Sequence, residues 1–546
     1  MIVSVKQNVA RHHTLSHIIG GVAAVRVMNR AGLVPFPRLD HGIASLRAVA
    51  KYGPFAGPVH ANARAGVTSP AIVDELGPLS YVELEQYSNA VVRGWAKDGI
   101  GAGSVMGVMA RNHRGLVLTM LAAAKAGVRL VMMNTGFAPP QLADVSVREQ
   151  IGSFVYDEEF SAVAAALAPE VTRYLAWSQS PNPDATPLDD VRAANSMDAV
   201  PAPESQGGFV LLTSGTTGTP KGAPREHTSP LASAQFLDRV PLRRDQTMIM
   251  SAPIFHGTGL SQFALALALR NTVVMHRKFD PANTMQLVAR YRADSLVLVP
   301  TMLQRIVDLP ADTLSSYDTS SLRILFASGS AISPELCRRT AAAFGPVLHN
   351  LYGSTEVAVA TVATPEDLER APGTAGRPPV TCRVELFDSD GNPVRGAGAV
   401  GRIFVASGLS FSGYTDGRDK ERIDGMLSTG DVGHFDADGL LFVDGRDDDM
   451  IVSGGENVYP LEVENLLAEH PDIIEAAVLG DSDPEFGQRL KAFVVPTASS
   501  PRDADAIRSY VKEHLARYKV PRDIVFVDEL PRNATGKILR RVLGEL

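Results

Sequence analysis

The sequence of 546 residues has few cysteines and no apolar run long enough to cross a membrane. Its two cysteines, Cys337 and Cys382, have no CxxC neighbour and no histidine cluster with metal-ligand spacing, which favours a protein of the reducing cytoplasm. The apolar runs 115–124 and 259–269 each end at a basic residue, well short of the roughly 18 residues that a transmembrane helix needs. A disulfide scaffold and a membrane-spanning protein are therefore not expected.

Positive charge is also scarce for a nucleic-acid-binding protein. The formal net charge is −8 and the sequence pI is about 5.9, so no nucleic-acid partner is expected. With 45% hydrophobic and 21% charged residues, the composition is that of an ordinary globular protein. At roughly 150 residues per domain, the length predicts about two to four domains.

The first sixty residues mix basic and apolar side chains. The stretch "HIIGGVAAVRVM" is short and glycine-interrupted for a signal-peptide core, so we expect this segment to be retained. The favoured interpretation is a set of helices packed on the main body. The alternative is a basic amphipathic surface that makes peripheral contact with anionic lipid through residues 1–60. The expected location is cytoplasmic, with membrane association as the alternative, and a homodimer stays open.

Helical and strand-like segments alternate from about Tyr81 onward. "SYVELEQYSNAVVRGWAKDGI" is typical of an amphipathic helix that begins after Ser80, whereas "SVMGVMA" and "VRLVMMN" are typical of buried strands. This β-α-β alternation predicts a mostly parallel sheet with helices on its faces. In "SPELCRRTAAAFG", Ser333 is the expected N-cap of a further helix that ends at Gly345.

The pattern changes twice towards the C-terminus. After Pro372 come short glycine-rich strands with a hairpin signal at Asp390-Gly391. A compact α+β segment follows. We therefore predict an α/β fold with three parts: a helical N-terminal extension (1–55), a large domain of mainly parallel sheets with a β-rich subdomain (56–446), and a small mobile α+β C-terminal domain (447–546).

"LLTSGTTGTPKGAPREH", residues 211–227, concentrates hydroxyls and glycines before a lysine. Backbone amides of such a turn, the added hydroxyl donors and an ammonium suit a polyphosphate. It is not a Walker A loop, because Gly222 stands where Ser or Thr would bind Mg²⁺. An ordinary flexible surface loop is the alternative. The predicted phosphate-binding residues are Thr213, Ser214, Gly215, Thr216, Thr217, Gly218, Thr219 and Lys221.

Five segments carry a family resemblance: "TSGTTGTPKG", "NLYGSTE", "STGD", "GRDDDMIVSGGENVYPLEVE" and "PRNATGKILRR". Their order resembles that of the acyl-adenylate-forming superfamily, which includes acyl-CoA synthetases, aryl-CoA ligases, luciferases and peptide-synthetase adenylation domains. The resemblance runs from about residue 55 to the end, and in texture the chain looks most like bacterial fatty acyl-CoA synthetases. It implies that ATP and Mg²⁺ activate a carboxylic acid as acyl-AMP, which CoA then attacks.

The resemblance also implies roles for single residues. Asp431 and Arg446 would bind the ribose, and Glu356 would ligate Mg²⁺, a hard cation that prefers carboxylate oxygens. Thr355 would donate to the α-phosphate, and Lys537 would bridge that phosphate and the substrate carboxylate. The remaining expected ATP-binding residues, around the adenine and its loop, are Gly329, Ser330, Ala331, Asn350, Tyr352 and Gly353. Taken singly, these residues would more often be surface charges or core side chains.

The small domain carries a second implied role. "SGGEN" resembles the segment that lines the thiol tunnel, so Ser453, Gly454, Gly455 and Glu456 are the expected CoA-binding residues. One domain cannot present both this segment and Lys537 to the same site. The resemblance therefore implies a rotation between half-reactions about a hinge at Asp448.

The acid itself is less well specified. His256 resembles a residue at the mouth of the acyl pocket, although a neutral packed histidine is the alternative. The pocket is expected around 255–260, 299–303 and 327–333, where no Lys or Arg pairs with a second substrate charge. We expect a medium- or long-chain fatty acid. The alternatives are an aryl-CoA ligase, an acyl-AMP ligase that loads a carrier protein, and a non-catalytic acyl- or nucleotide-binding protein.

Overall fold

A computed structural model describes residues 20–34, 39–180, 184–213, 221–224, 233–411, 413–415, 417–453, 456–483, 487–533 and 536–545. The strands are β1 (Pro70–Asp74), β2 (Gly77–Ser80), β3 (Val105–Met109), β4 (Arg129–Met132), β5 (Ser153–Asp157), β6 (Thr172–Trp177), β7 (Thr186–Pro187), β8 (Phe209–Thr213), β9 (Lys221–Pro224), β10 (Thr247–Met250), β11 (Thr272–Met275), β12 (Ser295–Leu298), β13 (Ile324–Ser328), β14 (Leu348–Tyr352), β15 (Thr361–Ala363), β16 (Arg383–Phe387), β17 (Gly401–Ala406), β18 (Arg422–Ile423), β19 (Met426–Phe435), β20 (Leu441–Arg446), β21 (Ile451–Ser453), β22 (Glu456–Val458), β23 (Ile473–Asp483), β24 (Gly487–Pro496) and β25 (Asp523–Phe526).

The helices are α1 (20–31), α2 (Leu39–Arg64), α3 (Tyr81–Lys97), α4 (Arg114–Ala126), α5 (Pro139–Arg148), α6 (Ser161–Ala164), α7 (Leu188–Ala193), α8 (Ala234–Leu237), α9 (Gly257–Ala268), α10 (Pro281–Tyr291), α11 (Pro300–Val307), α12 (Ala311–Ser315), α13 (Pro334–Phe344), α14 (Pro365–Arg370), α15 (Pro460–Leu467), α16 (Ala504–His514) and α17 (Arg540–Leu543). Of the helices in the described ranges, none is both long and apolar enough to cross a bilayer.

Two mainly parallel sheets form the large domain. The order of the first is β15-β14-β13-β12-β10-β11-β1-β2, and only its outermost pairs are antiparallel. The second has the order β7-β6-β5-β3-β4-β8-β9, in which only β8 and β9 pair antiparallel. The predicted α/β fold is confirmed.

Local sequence signals account for where the helices begin. Ser80 caps α3, with its hydroxyl accepting the Glu83 N–H and the Glu83 carboxylate accepting the Ser80 N–H. Ser333 caps α13, with its hydroxyl accepting the Leu336 N–H. Trp95 and Tyr81 are completely buried in the core where α3 packs against α2 and α4. The predicted boundaries of these helices are therefore confirmed.

The N-terminal segment is helical in its described part. α2 is kinked at Gly53, which has a φ of 79° and is followed by Pro54. The helix packs on the core through Tyr52, Phe55 and Val59. The expected division after residue 55 falls inside this helix. The domain limits stay a prediction, and residues 1–19 lie outside the described part of the chain.

Two smaller sheets complete the chain. β16 to β20 form an antiparallel sheet that closes the large domain, in agreement with the predicted β-rich subdomain. Gly391, in the expected turn after β16, has a φ of 82°, which glycine adopts without strain. β21 to β25 form the sheet of the small domain, covered by α15 and α16.

Candidate functional site

The candidate site lies at the carboxyl ends of the parallel strands of the first sheet, where open α/β sheets commonly bind ligands. A cavity of about 1560 Å³ opens there between the large domain and the small domain. It brings together the predicted residues His256, Gly329, Ser330, Ala331, Asn350, Tyr352, Gly353, Thr355, Glu356, Asp431, Arg446 and Lys537. Residues far apart in the sequence therefore share one cavity.

Asp431 stands at the centre of the expected ribose site. It faces Arg446 across the β19–β20 ladder, and Arg446 Nη1 donates to its Oδ1 over 3.2 Å. Tyr352, at the end of β14, donates its hydroxyl to Asp431 Oδ2 over 2.5 Å. Burial raises the pKa of Asp431, while Arg446 and Tyr352 oppose that rise. Burial and the adjacent Asp431 charge raise the pKa of Tyr352 well above its usual range, so Tyr352 stays a donor.

Glu356 is the expected metal ligand, and it is 8% exposed at the cavity wall. Its Oε1 accepts the Tyr414 hydroxyl over 2.6 Å. Burial acts to raise the pKa of Glu356, but hydrogen bonds from Tyr414 and Ser354 and the charge of Lys420 hold it below the usual value. An ionised, oriented carboxylate is the donor that Mg²⁺ prefers, so this residue fits the role.

His256 lies at the N-cap of α9 and lines the cavity. Its Nδ1 is buried, with no hydrogen-bond partner among the described residues. Burial, assisted by the Lys537 charge, lowers the pKa of His256 to about 4. The ring is therefore neutral near pH 7. Apolar side chains from the three predicted stretches, from α8 and from β13 line the same cavity: Phe236, Phe255, Val299, Met302, Phe326 and Ile332.

Two arginines, Arg111 and Arg277, also line the cavity. They come from the segments after β3 and β11, outside the stretches predicted for the acyl pocket. Both donate to Glu159 Oε1 over 2.8 Å. With Asp157 Oδ2 3.9 Å from Arg277 Nη2, two carboxylates lie near these two arginines.

Lys537 enters the cavity on a turn of the small domain. Gly536 has a φ of 79° and lies against Thr301 of α11. Arg532 Nη1 donates to the Gly536 carbonyl over 2.7 Å, and Arg532 also pairs with Glu475 of β23. The Lys537 backbone N–H donates to Asn533 Oδ1. These contacts attach the turn to its own domain while they hold Lys537 towards the large domain.

The described residues of the expected CoA segment lie elsewhere. Ser453 and Glu456 are register partners in the β21–β22 hairpin, and among the described residues neither lines the cavity that contains Lys537. Gly454 and Gly455 lie outside the described residues. Asp448, the expected hinge, follows β20 in a short 3₁₀ turn and accepts a hydrogen bond from Arg446 Nε over 3.2 Å.

The predicted phosphate-binding loop is only partly described. β8 ends at Thr213 and β9 begins at Lys221, and these two residues are antiparallel register partners. The expected residues Ser214, Gly215, Thr216, Thr217, Gly218 and Thr219 lie outside the described part of the chain. The two strands place both ends of the loop next to each other.

Tyr414 and Lys420 are among the cavity residues that were not predicted. Both belong to the segment between β17 and β19, "GYTDGRDKERIDG". A tyrosine and a lysine in a polar loop have no spacing that marks a site. Only their tertiary contacts with Glu356 and Thr429 identify them.

Comparison with known proteins agrees with this geometry. Residues 59–415 match the model of the AMP-binding enzyme family, and residues 462–537 match that of the AMP-binding enzyme C-terminal domain. An indoleacetate–CoA ligase from Aromatoleum aromaticum is 34% identical over 86% of this chain and 93% of its own. A feruloyl-CoA synthase from an Amycolatopsis species is 32% identical over 85% and 92%. ATP-bound MatB from Rhodopseudomonas palustris aligns with a TM-score of 0.78 at 27% identity, over 89% of this chain and 98% of that one.

Proposed function

The chain belongs to the AMP-binding enzyme family, and from this premise we propose that it joins an aryl-substituted carboxylic acid to CoA through an acyl-adenylate. Its class is that of AMP-forming acid–thiol ligases, which take ATP, Mg²⁺ and CoA. One observation carries the proposal: Lys537 of the small domain lines the same cavity as Glu356 and Asp431 of the large domain. A cation of the small domain thus shares one cavity with the groups expected to hold nucleotide and metal.

The chemistry explains why this cation matters. A carboxylate must attack the α-phosphate, and both groups are anionic, so the barrier is largely electrostatic. The Lys537 ammonium offsets that charge where acid and nucleotide meet. Asp431 and Arg446 hold the ribose, and Tyr352 provides a flat face for the adenine. Mg²⁺, held by Glu356, would neutralise phosphate charge when bound.

Two observations support an aryl acid rather than the fatty acid that the sequence favoured. Aromatic side chains are prominent among the apolar residues of the cavity, including Phe236, Phe255 and Phe326. The two relatives compared above are named for indoleacetate and ferulate, both aryl acids. Because Arg111 and Arg277 both donate to Glu159, neither arginine is free to pair with a second carboxylate on the substrate. The pairing of these two arginines favours a monocarboxylate.

Acid-dependent exchange of pyrophosphate into ATP, and CoA thioester formation, test the proposal. The panel contains benzoic, arylacetic and hydroxycinnamic acids, and fatty acids of increasing chain length. We expect the highest kcat/KM with an aryl acid. A clear preference for fatty acids would overturn the substrate assignment, and exchange without CoA thioester, together with transfer to a carrier protein, would overturn the acceptor assignment. Absence of exchange with every acid would overturn the activity itself.

A further inference from the structure

Two cationic side chains converge beside Gly430 in β19. A Cβ built on this glycine would lie 3.2 Å from Lys420 Nζ and 3.3 Å from Arg446 Nη2. Both nitrogens therefore lie close to one point on the cavity wall. Two positive charges that approach the same point repel each other. Arg446 also forms ion pairs with Asp431 and Asp448, and an anionic ligand would further stabilise the adjacent Lys420 ammonium.

The position of Lys420 is set by the backbone. Its Nζ donates to the Thr429 carbonyl over 3.0 Å, which holds the ammonium at the start of the Gly430–Asp431 segment. An ammonium has three N–H donors, and this bond uses one of them. The side chain is only partly exposed and lines the cavity that contains Glu356 and Asp431.

Lys420 also acts electrostatically on both of these carboxylates. Against the opposing effect of burial, which is the largest single cause, the Lys420 charge helps the hydrogen bonds of Glu356 to lower the pKa of this carboxyl. At Asp431, where burial raises the pKa, the Lys420 charge opposes the rise. Lys420 is thus near enough to influence the expected metal ligand and the expected ribose ligand together.

Other residues of the loop that carries Lys420 contact Glu356 and the end of the predicted phosphate-binding loop. The Phe411 N–H donates to the Glu356 carbonyl over 2.7 Å, and the Thr415 N–H donates to the Gly222 carbonyl, next to Lys221, over 2.9 Å. In chain order, the described residues of this loop therefore contact Glu356, then Gly222 at the end of the predicted phosphate-binding loop, and then Thr429 close to Asp431. A nucleotide whose ribose is at Asp431 and whose metal is at Glu356 has its phosphate chain between these carboxylates.

We propose that Lys420 binds the phosphate chain of ATP and, with Arg446, forms a cationic pair that neutralises it. This inference rests on the proposed function. Lys420 would contribute to ATP binding and to pyrophosphate exchange. It would contribute little to thioester formation from acyl-AMP, which has lost the two outer phosphates. The competing explanation is that Lys420 only orients Asp431, in which case it would act through the ribose.

Binding of ATP and of adenosine separates the two explanations. Variants K420M and K420R are compared with K512M, a matched lysine substitution on the exposed face of α16. Loss of one charge-assisted hydrogen bond should weaken ATP binding in K420M by about tenfold to a hundredfold. Adenosine affinity should stay at the wild-type value because it has no phosphate. K420R should recover part of the loss, and K512M should match the wild type.

Two results would overturn the inference: unchanged ATP affinity in K420M, or equal losses for ATP and adenosine. A thermal melt of each variant establishes that it is folded. If K420M is not folded, K420R is used. Its KM for pyrophosphate in the exchange reaction and its rate of thioester formation from synthetic acyl-AMP are then each compared with the wild-type values. Equal changes in both would contradict a role at the phosphates. Failure of the proposed function is distinct, since the wild type itself would then show no acid-dependent pyrophosphate exchange.

Discussion

Gly536 lies so close to Thr301 that a Cβ on the glycine would be 2.1 Å from the threonine Oγ1. Gly536 also has a φ of 79°, in the left-handed region that side chains other than glycine disfavour. G536A should therefore displace the turn that carries Lys537 from α11. We expect acyl-adenylate formation to fall about tenfold, since the left-handed penalty is about 1 to 2 kcal/mol.

The matched control for this prediction is G544A. Gly544 has no positive φ, and the nearest atom to its built Cβ is 3.5 Å away. G544A should leave both half-reactions at the wild-type rate. Thioester formation from synthetic acyl-AMP should survive in G536A, and a loss of that step as large as the loss of adenylation would show that the turn does not act through Lys537.

Lys537 is predicted to act mainly in the first half-reaction. K537A should lower pyrophosphate exchange by about a hundredfold to a thousandfold, the usual cost of removing one preorganised charge-stabilising donor. R541A is the control, because Arg541 is also a cation of the C-terminal segment but is exposed and pairs with Glu545. Exchange in K537A at the wild-type rate would refute the assigned mechanism.

Asp448 tests the predicted hinge. D448P fixes φ at this position and should spare acyl-adenylate formation while it stops thioester formation. D448A removes only the carboxylate that accepts from Arg446 Nε, so it separates the ion pair from the backbone effect. We expect D448A to retain both steps. If D448P lost both half-reactions equally, rotation about this residue would have no support.

Tyr414 is predicted to position Glu356. Its hydroxyl donates to the Glu356 carboxylate over 2.6 Å, so Y414F leaves the ring but removes the hydrogen bond. Loss of such an outer partner typically lowers metal affinity by about tenfold to a hundredfold. The apparent KM for Mg²⁺ in pyrophosphate exchange should rise accordingly, while saturating Mg²⁺ restores the rate. An unchanged Mg²⁺ dependence would contradict the assignment.

Much of this architecture follows from local sequence signals. The helix that begins after Ser80 and the helix capped at Ser333 are both found where the caps predict them, because each cap satisfies backbone N–H groups within a few residues. β3 and β4 of the second sheet follow from their apolar runs. Glu356, Asp431 and Lys537 share a cavity as the motif order implies, but the distances among them depend on packing between separate sheets and domains.

Other parts of the site have no local signal. Tyr414 and Lys420 lie in a polar loop, and their position depends on pairing with Glu356 and Thr429, which are distant or on another strand. Arg111 and Arg277 likewise approach the cavity from two different sheets and meet at Glu159. The neutral state of His256 arises from burial and from Lys537, a residue of the other domain. Periodicity and spacing within one segment do not encode such contacts.

His256 gives a prediction about pH and stability. Burial and Lys537 lower its pKa in the folded state to about 4, from the usual histidine value of 6.5. Between these pH values the unfolded chain binds a proton that the folded chain does not, so the contribution of this residue to stability is lost as the pH falls through that window. The loss is up to about 3 kcal/mol. H256Q should therefore show a smaller fall in melting temperature from pH 7 to pH 4.5 than the wild type.

His349, whose pKa burial also lowers to about 4, offers a comparison in H349Q away from the cavity. Lys537 contributes to the lowered pKa of His256 but not to that of His349. Adding K537A should therefore change the pH dependence of melting in H349Q, which keeps His256, and leave it unchanged in H256Q, which lacks His256. Equal pH dependence of melting in the wild type and H256Q would contradict this account.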